Sequence, residues 1–173
     1  MRSTAHFDKR LGMVAARLEH LQRVEGYGID RLELVLLPRE EEEDARAHVA
    51  RRDVELSVHC PLFRDGGWDG YPLLASVFDT DRERQTRSLH LIETELRQAA
   101  EWGAGHLVAH LQRSIGILGE TNPHGWTTEK AIDAALEVGE RAAEASAAAG
   151  VSLHIENMMS QPLLCLPEHY VQL

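Results

Sequence analysis

The spacing of hydrophobic positions changes along the chain, and each change marks an element. Over "DKRLGMVAARLEHLQRVEGYG", residues 8–28, Leu11, Val14, Leu18 and Leu21 recur at helical spacing. The pattern closes on Gly26 and Gly28, which predicts one amphipathic helix. "DRLELVLL" then alternates, with Leu32, Leu34 and Leu36 on one side and Glu33 and Val35 on the other, predicting a strand near 32–36. "PREEEEDARAHVARRD" reads as a charged helix or helical turn, and its acidic run Glu40–Asp44 fits a solvated first turn. "VELSVHCP" gives a strand near 56–60 that ends at Pro61. Residues 62–84, rich in Gly, Asp and aromatics, are too long for an idle connection and predict a functional loop.

An amphipathic helix follows in "TRSLHLIETELRQAAEWGAG", then a strand at 106–110, "HLVAH". Residues 111–126 form a second long polar loop, after which Thr127 or Thr128 caps a long Ala-rich helix ending at Gly150. "VSLHIEN" supplies a strand at 151–156, and "MRSTAHF" carries a weaker strand pattern. Strands alternating with helices predict an α/β fold of parallel strands with outer helices, either a doubly wound sheet or part of a (β/α) barrel.

Which of the two follows from the strand faces. One face of each strand is apolar: Leu32 and Leu34, Leu56 and Val58, Leu107 and Ala109, Leu153 and Ile155. The other carries Glu33, then Ser57 and His59, then His106 and His110, then Ser152, His154 and Glu156. A doubly wound sheet is covered on both faces and reads as continuous Val/Ile/Leu. Ionisable groups at the C-terminal ends of strands fit the mouth of a barrel. His59, His110 and Glu156 each stand at or near the last position of a strand, and imidazole and carboxylate suit a divalent cation. A carboxylate there can also act as general base. Glu33 is a candidate substrate contact, His106 and His154 lie deeper as interior filler, and His124 falls in a loop.

Composition narrows the setting. The chain has 173 residues, the size of one domain, so residues 1–173 are taken as a single unit. Its net charge of −10 disfavours nucleic acid as a partner, and no apolar run reaches the ~20 residues a membrane span requires. Two cysteines, Cys60 and Cys165, suit free thiols in a cytoplasmic protein.

"LSVHCPLF", "SLHLIETELRQAAEWGAGHLVAHLQ" and "VSLHIENM" resemble the xylose isomerase-like TIM barrels over about residues 29–160. That superfamily includes sugar-phosphate isomerases and epimerases, inosose dehydratase-type enzymes and the endonuclease IV branch of abasic-site nucleases. The resemblance implies a TIM barrel represented by about five of its eight strands. It implies that Glu156 binds a divalent metal (Mn, Mg, Zn or Co) and takes part in proton transfer. His59 and His110 would contact a sugar or sugar phosphate, or the metal itself. The implied reaction is deprotonation beside a sugar carbonyl through a metal-stabilised enediolate.

In the nuclease branch all three residues would be zinc ligands. The remaining ligands of the isomerases, an Asp, a His and a second Glu, come from strands six to eight. The expectation is therefore an N-terminal portion, completed by further chain, by self-association or by a second chain. A non-catalytic half-barrel binding module is the alternative from another functional class.

Overall fold

A computed structural model describes residues 12–64, 76–112 and 125–156 of the chain. In chain order these form β1 (Met13–Ala15), α1 (Leu18–Gly26), β2 (Arg31–Leu34), a 3₁₀ turn (Arg39–Glu41) and α2 (Glu42–Ala50). Then come β3 (Glu55–His59), β4 (Ser76–Phe78), α3 (Arg82–Glu101), β5 (His106–Gln112), α4 (Thr128–Ala149) and β6 (Ser152–Glu156). All the pairings between these strands are parallel. β1, β2, β3, β5 and β6 follow one another across the sheet as consecutive barrel strands do.

β4 is an addition to that series. β6 lies along one edge of β5, pairing with His106–His110. On the opposite edge β3 pairs with His106–Val108, and β4 takes over beside His110 and Gln112. Beside β5 the pairing thus ends at Cys60, whose N–H donates to Val108 O, and resumes at Ser76.

The apolar faces of β2, β3 and β5 do what their alternation requires, whereas β6 leaves Leu153 half-buried and Ile155 exposed. Leu32, Leu34, Leu56, Val58, Leu107 and Ala109 are buried in one hydrophobic core with Leu89, Ile92 and Leu96 of α3 and Ile132, Ala135 and Val138 of α4. Helix ends follow local chemistry. The Asp81 carboxylate accepts from the N–H groups of Glu83 and Arg84 at the start of α3, and the Thr127 hydroxyl accepts from Lys130 N–H at the start of α4. α4 stops where Gly150 turns left-handed at φ 68°.

Several expectations need correction. The helix expected over residues 8–28 is confined to Leu18–Gly26, because Met13–Ala15 pairs with β2. Val14 belongs to that strand and is 55% exposed, so it shares no helical face with Leu18. β2 ends at Leu34, and Leu36 adopts φ 49° as the chain bends to give Leu36 N–H to Pro61 O. The 62–84 loop is interrupted by β4, and α3 starts at Arg82, four residues before the sequence pattern placed it. β5 continues two residues beyond "HLVAH". The segment "MRSTAHF", His124 and Cys165 lie outside the described residues. Among the described residues no helix is long and apolar enough to cross a membrane.

Candidate metal centre

Strand register fixes which side chains meet. Parallel pairing aligns Val14, Glu33, Ser57, His106 and Ser152 in one row across β1, β2, β3, β5 and β6. Side chains alternate, so this row faces away from the helices, on the side opposite Leu32, Leu56 and Leu107. Two residues further along lie His59, Val108 and His154; beyond them His110 stands opposite Glu156. His59, His110 and Glu156 therefore converge at the C-terminal end of the sheet, where barrel enzymes build their sites.

The convergence is close. Glu156 Oε2 lies 3.2 Å from His59 Nε2 and 3.4 Å from His110 Nε2. The two rings meet edge to face, with centroids 5.0 Å apart. One donor atom from each of the three residues falls within 4.8 Å of the others. Donors bound to a tetrahedral cation at ~2.1 Å stand ~3.4 Å apart, so the two His–Glu separations already have the right spacing. Two neutral imidazoles and a carboxylate form a donor set suited to zinc, and acceptable to manganese or cobalt.

The nitrogens away from Glu156 differ. His59 Nδ1 is 3.3 Å from Cys60 O, the backbone acceptor that fixes an imidazole for ligation through its other nitrogen. His110 Nδ1 is buried and has no hydrogen-bond partner among the described residues. Burial foremost, then the adjacent His59, pushes the His110 pKa below the ordinary imidazole value, while Glu156 pulls it upward. The net effect favours the neutral ring, which is the form that binds metal.

The centre is buried on one side and open on the other. His110 is buried and the His59 side chain nearly so, whereas 48% of the Glu156 side chain is exposed. Glu33 sits a row deeper and lines a cavity of about 360 Å³ with Val14, Ser57 and His106. By register it lies one row of the sheet from His59 and two rows from His110 and Glu156. Two features were not anticipated from sequence. His106 and His154 stack nearly parallel, with ring centroids 4.6 Å apart, and β4 brings Ser76 level with His110. The alternation of His106 and His154 on facing strands carried the signal for the first; three residues of β4 inside a polar stretch gave little for the second.

A parallel sheet walled by helices on its apolar face, with a metal-type donor cluster at its C-terminal end, has the layout of part of a (β/α) barrel. The chain belongs to the xylose isomerase-like TIM barrel family, whose model matches residues 21–171. No curated protein sequence matches it significantly.

Among solved structures, it is similar to the TTHB071 protein from Thermus thermophilus, soaked with ZnCl2, at 25% identity and TM-score 0.56, covering 94% of this chain and 61% of that one. It is also similar to a D-tagatose 3-epimerase-like protein at 16% identity and TM-score 0.70, over 93% and 58% of the two chains. An endonuclease IV, also from Thermus thermophilus, aligns at 17% identity and TM-score 0.50, over 88% and 53%. The chain spans about three-fifths of the length of the first two structures.

Proposed function

We propose that this chain carries the N-terminal half of the active site of a metal-dependent isomerase or epimerase acting on a sugar or sugar phosphate. The observation that supports it most is the meeting of His59, His110 and Glu156, from three barrel strands, within 4.8 Å. Glu156, with His59 and His110, would hold the divalent cation. When bound, that cation supplies Lewis-acid polarisation of a substrate carbonyl.

The chain's own residues account for the rest. Glu156 Oε2 is the oxygen both imidazoles approach, which leaves Oε1 to take the proton from the carbon beside the carbonyl. The half-exposed Glu156 can reach a bound substrate while His110 stays buried behind it. Returning the proton to the same carbon on its other face inverts the centre; returning it to the neighbouring carbon isomerises the sugar. With both imidazoles committed to the cation, Glu33 contacts the end of the substrate that reaches down into the cavity. Strands that close the barrel would join at the edges β1 and β6, which expose Val14 and Ile155. Cys60, a buried thiol, suits the reducing cytoplasm.

The donor set supports a second reading, abasic-site cleavage of DNA, because two imidazoles and one carboxylate form a zinc-type site. The net charge of −10 weighs against it, since phosphate backbones are held by cationic surface.

The protein, loaded in turn with Zn²⁺, Mn²⁺, Co²⁺ and Mg²⁺, is offered a panel of ketoses and ketose phosphates in D₂O, and exchange of the proton beside the carbonyl is followed by NMR. Exchange that is abolished in Glu156→Gln supports the proposal. Metal uptake with no exchange, together with cleavage of an abasic oligonucleotide, replaces it with the nuclease reading. Metal uptake with neither activity favours a non-catalytic half-barrel that binds ligand.

A further inference from the structure

His59 is the last residue of β3, and the segment after it is held by an unusual set of contacts. Cys60 N–H closes the last rung to β5 at Val108 O, and Cys60 O faces His59 Nδ1 at 3.3 Å. Pro61 has no N–H, and its carbonyl accepts from Leu36 N–H. Leu62 O accepts from Leu37 N–H at 2.7 Å, so on the β2 side the ladder continues beyond both strands. On the β5 side it cannot, because β4 occupies that edge from His110 onward. Leu62 N–H would be left without a sheet partner there. It donates instead to Glu95 Oε2 at 2.7 Å, a bond that is buried at both ends.

Glu95 is a carboxylate on the core side of α3, only 2% exposed. Burying such a group opposes folding unless it satisfies other buried polar groups. A chain of contacts then runs from Glu95 to the Leu62 amide, through the Pro61 peptide to the Cys60 carbonyl, and from there to His59 Nδ1. The opposite nitrogen of that ring faces Glu156. An acceptor on the remote nitrogen sets the orientation of a metal-binding imidazole.

We infer that Glu95 is a positioning residue for the metal centre. By capping Leu62 N–H it holds the turn after β3, aims the Cys60 carbonyl at His59 Nδ1 and so points His59 Nε2 at the cation. The inference rests on the metal-site reading above.

The test uses the whole chain with Glu95→Gln, Glu95→Asp and Glu95→Ala, and with Leu96→Ala as a control that removes neighbouring core on the same helix. Zinc affinity is measured by chelator competition, and the His59 ring nitrogens are followed by ¹⁵N NMR of the zinc-free protein. Gln keeps an acceptor oxygen at the same reach and should bind zinc within about threefold of wild type, with His59 signals unmoved. Asp, one methylene shorter, and Ala should lose about tenfold in affinity, the low end of the range for a direct partner of a metal ligand because Glu95 acts through the turn, and shift the His59 signals.

Leu96→Ala should lower stability while leaving both readouts alone. The inference is overturned if the folded Asp or Ala variant binds zinc like wild type with unmoved His59 signals, or if Leu96→Ala weakens zinc binding equally. If the Ala variant does not fold, the Asp and Gln pair decides. If wild-type protein takes up no zinc, the metal-site reading falls, while the His59 ring signals still decide whether Glu95 controls that side chain.

Discussion

Replacing Glu156 with glutamine removes one negative charge from the centre and changes little else. The side chain is half exposed at the end of β6, so its loss opens no core cavity. A full negative charge ~2.1 Å from a divalent cation, screened as completely as by bulk water, is worth about 4 kcal/mol, or roughly a thousandfold in affinity. The amide oxygen can still ligate as a neutral dipole, so the expected loss is about 100- to 1,000-fold. Thermal unfolding with added zinc measures it without any substrate. At a zinc concentration about 100 times the wild-type Kd, binding should stabilise wild type by about 2.7 kcal/mol. In the variant the same concentration lies at or below its Kd, which leaves only a few tenths of a kcal/mol. An unchanged melting temperature in EDTA confirms that the fold is intact. A variant stabilised by zinc as much as wild type would refute the assignment of Glu156 to the centre.

Three further outcomes are expected. With its pKa lowered in the folded state, His110 contributes stability that is fully present above about pH 6.5, the unfolded value. That contribution falls as pH drops toward the folded value, because the unfolded chain takes up the proton first. Metal-free wild type should therefore lose more urea stability between about pH 7.5 and 5.5 than His110→Gln, and parallel losses would contradict it. Gly150→Ala forces a side chain into φ 68° at the end of α4 and should cost about 1–2 kcal/mol in urea denaturation. Open space around the added methyl makes this conformational strain rather than a clash, so a neutral result would mean that the helix end readjusts. Leu107→Ala, at a fully buried position of β5, should cost about 2–5 kcal/mol, and a loss below about 1 kcal/mol would show that the core collapses into the space.

The parts of this fold visible in sequence are those where burial repeats at a fixed period. Leu56 and Val58 against Ser57 and His59, and Leu107 and Ala109 against His106 and His110, separate the two sheet faces without further information. Alternation likewise put His59, His110 and Glu156 on the polar face near the ends of their strands, while the register that sets His110 opposite Glu156 came only from the structure. Met13–Ala15 was not, because three residues are too few to carry a period of two and Val14 also fits a helical spacing with Leu18. β4 was hidden in the same way, since its place is set by the free edge of β5 rather than by its own pattern. Nothing in the period of α3 singles out Glu95, whose bond to the Leu62 amide depends on where the turn after β3 lies.

The divided edge of β5 has a consequence for how this scaffold can vary. The chain between Arg64 and Ser76 is bracketed by two independent sets of hydrogen bonds, one holding the turn after His59 and the other meeting His110. Insertions, deletions or grafts between Arg64 and Ser76 leave both sets of bonds, and the Leu62 contacts that hold the turn after His59, in place, so this stretch can change while the imidazoles keep their positions. Relatives that keep the same cation while accepting different substrates should differ most in this stretch.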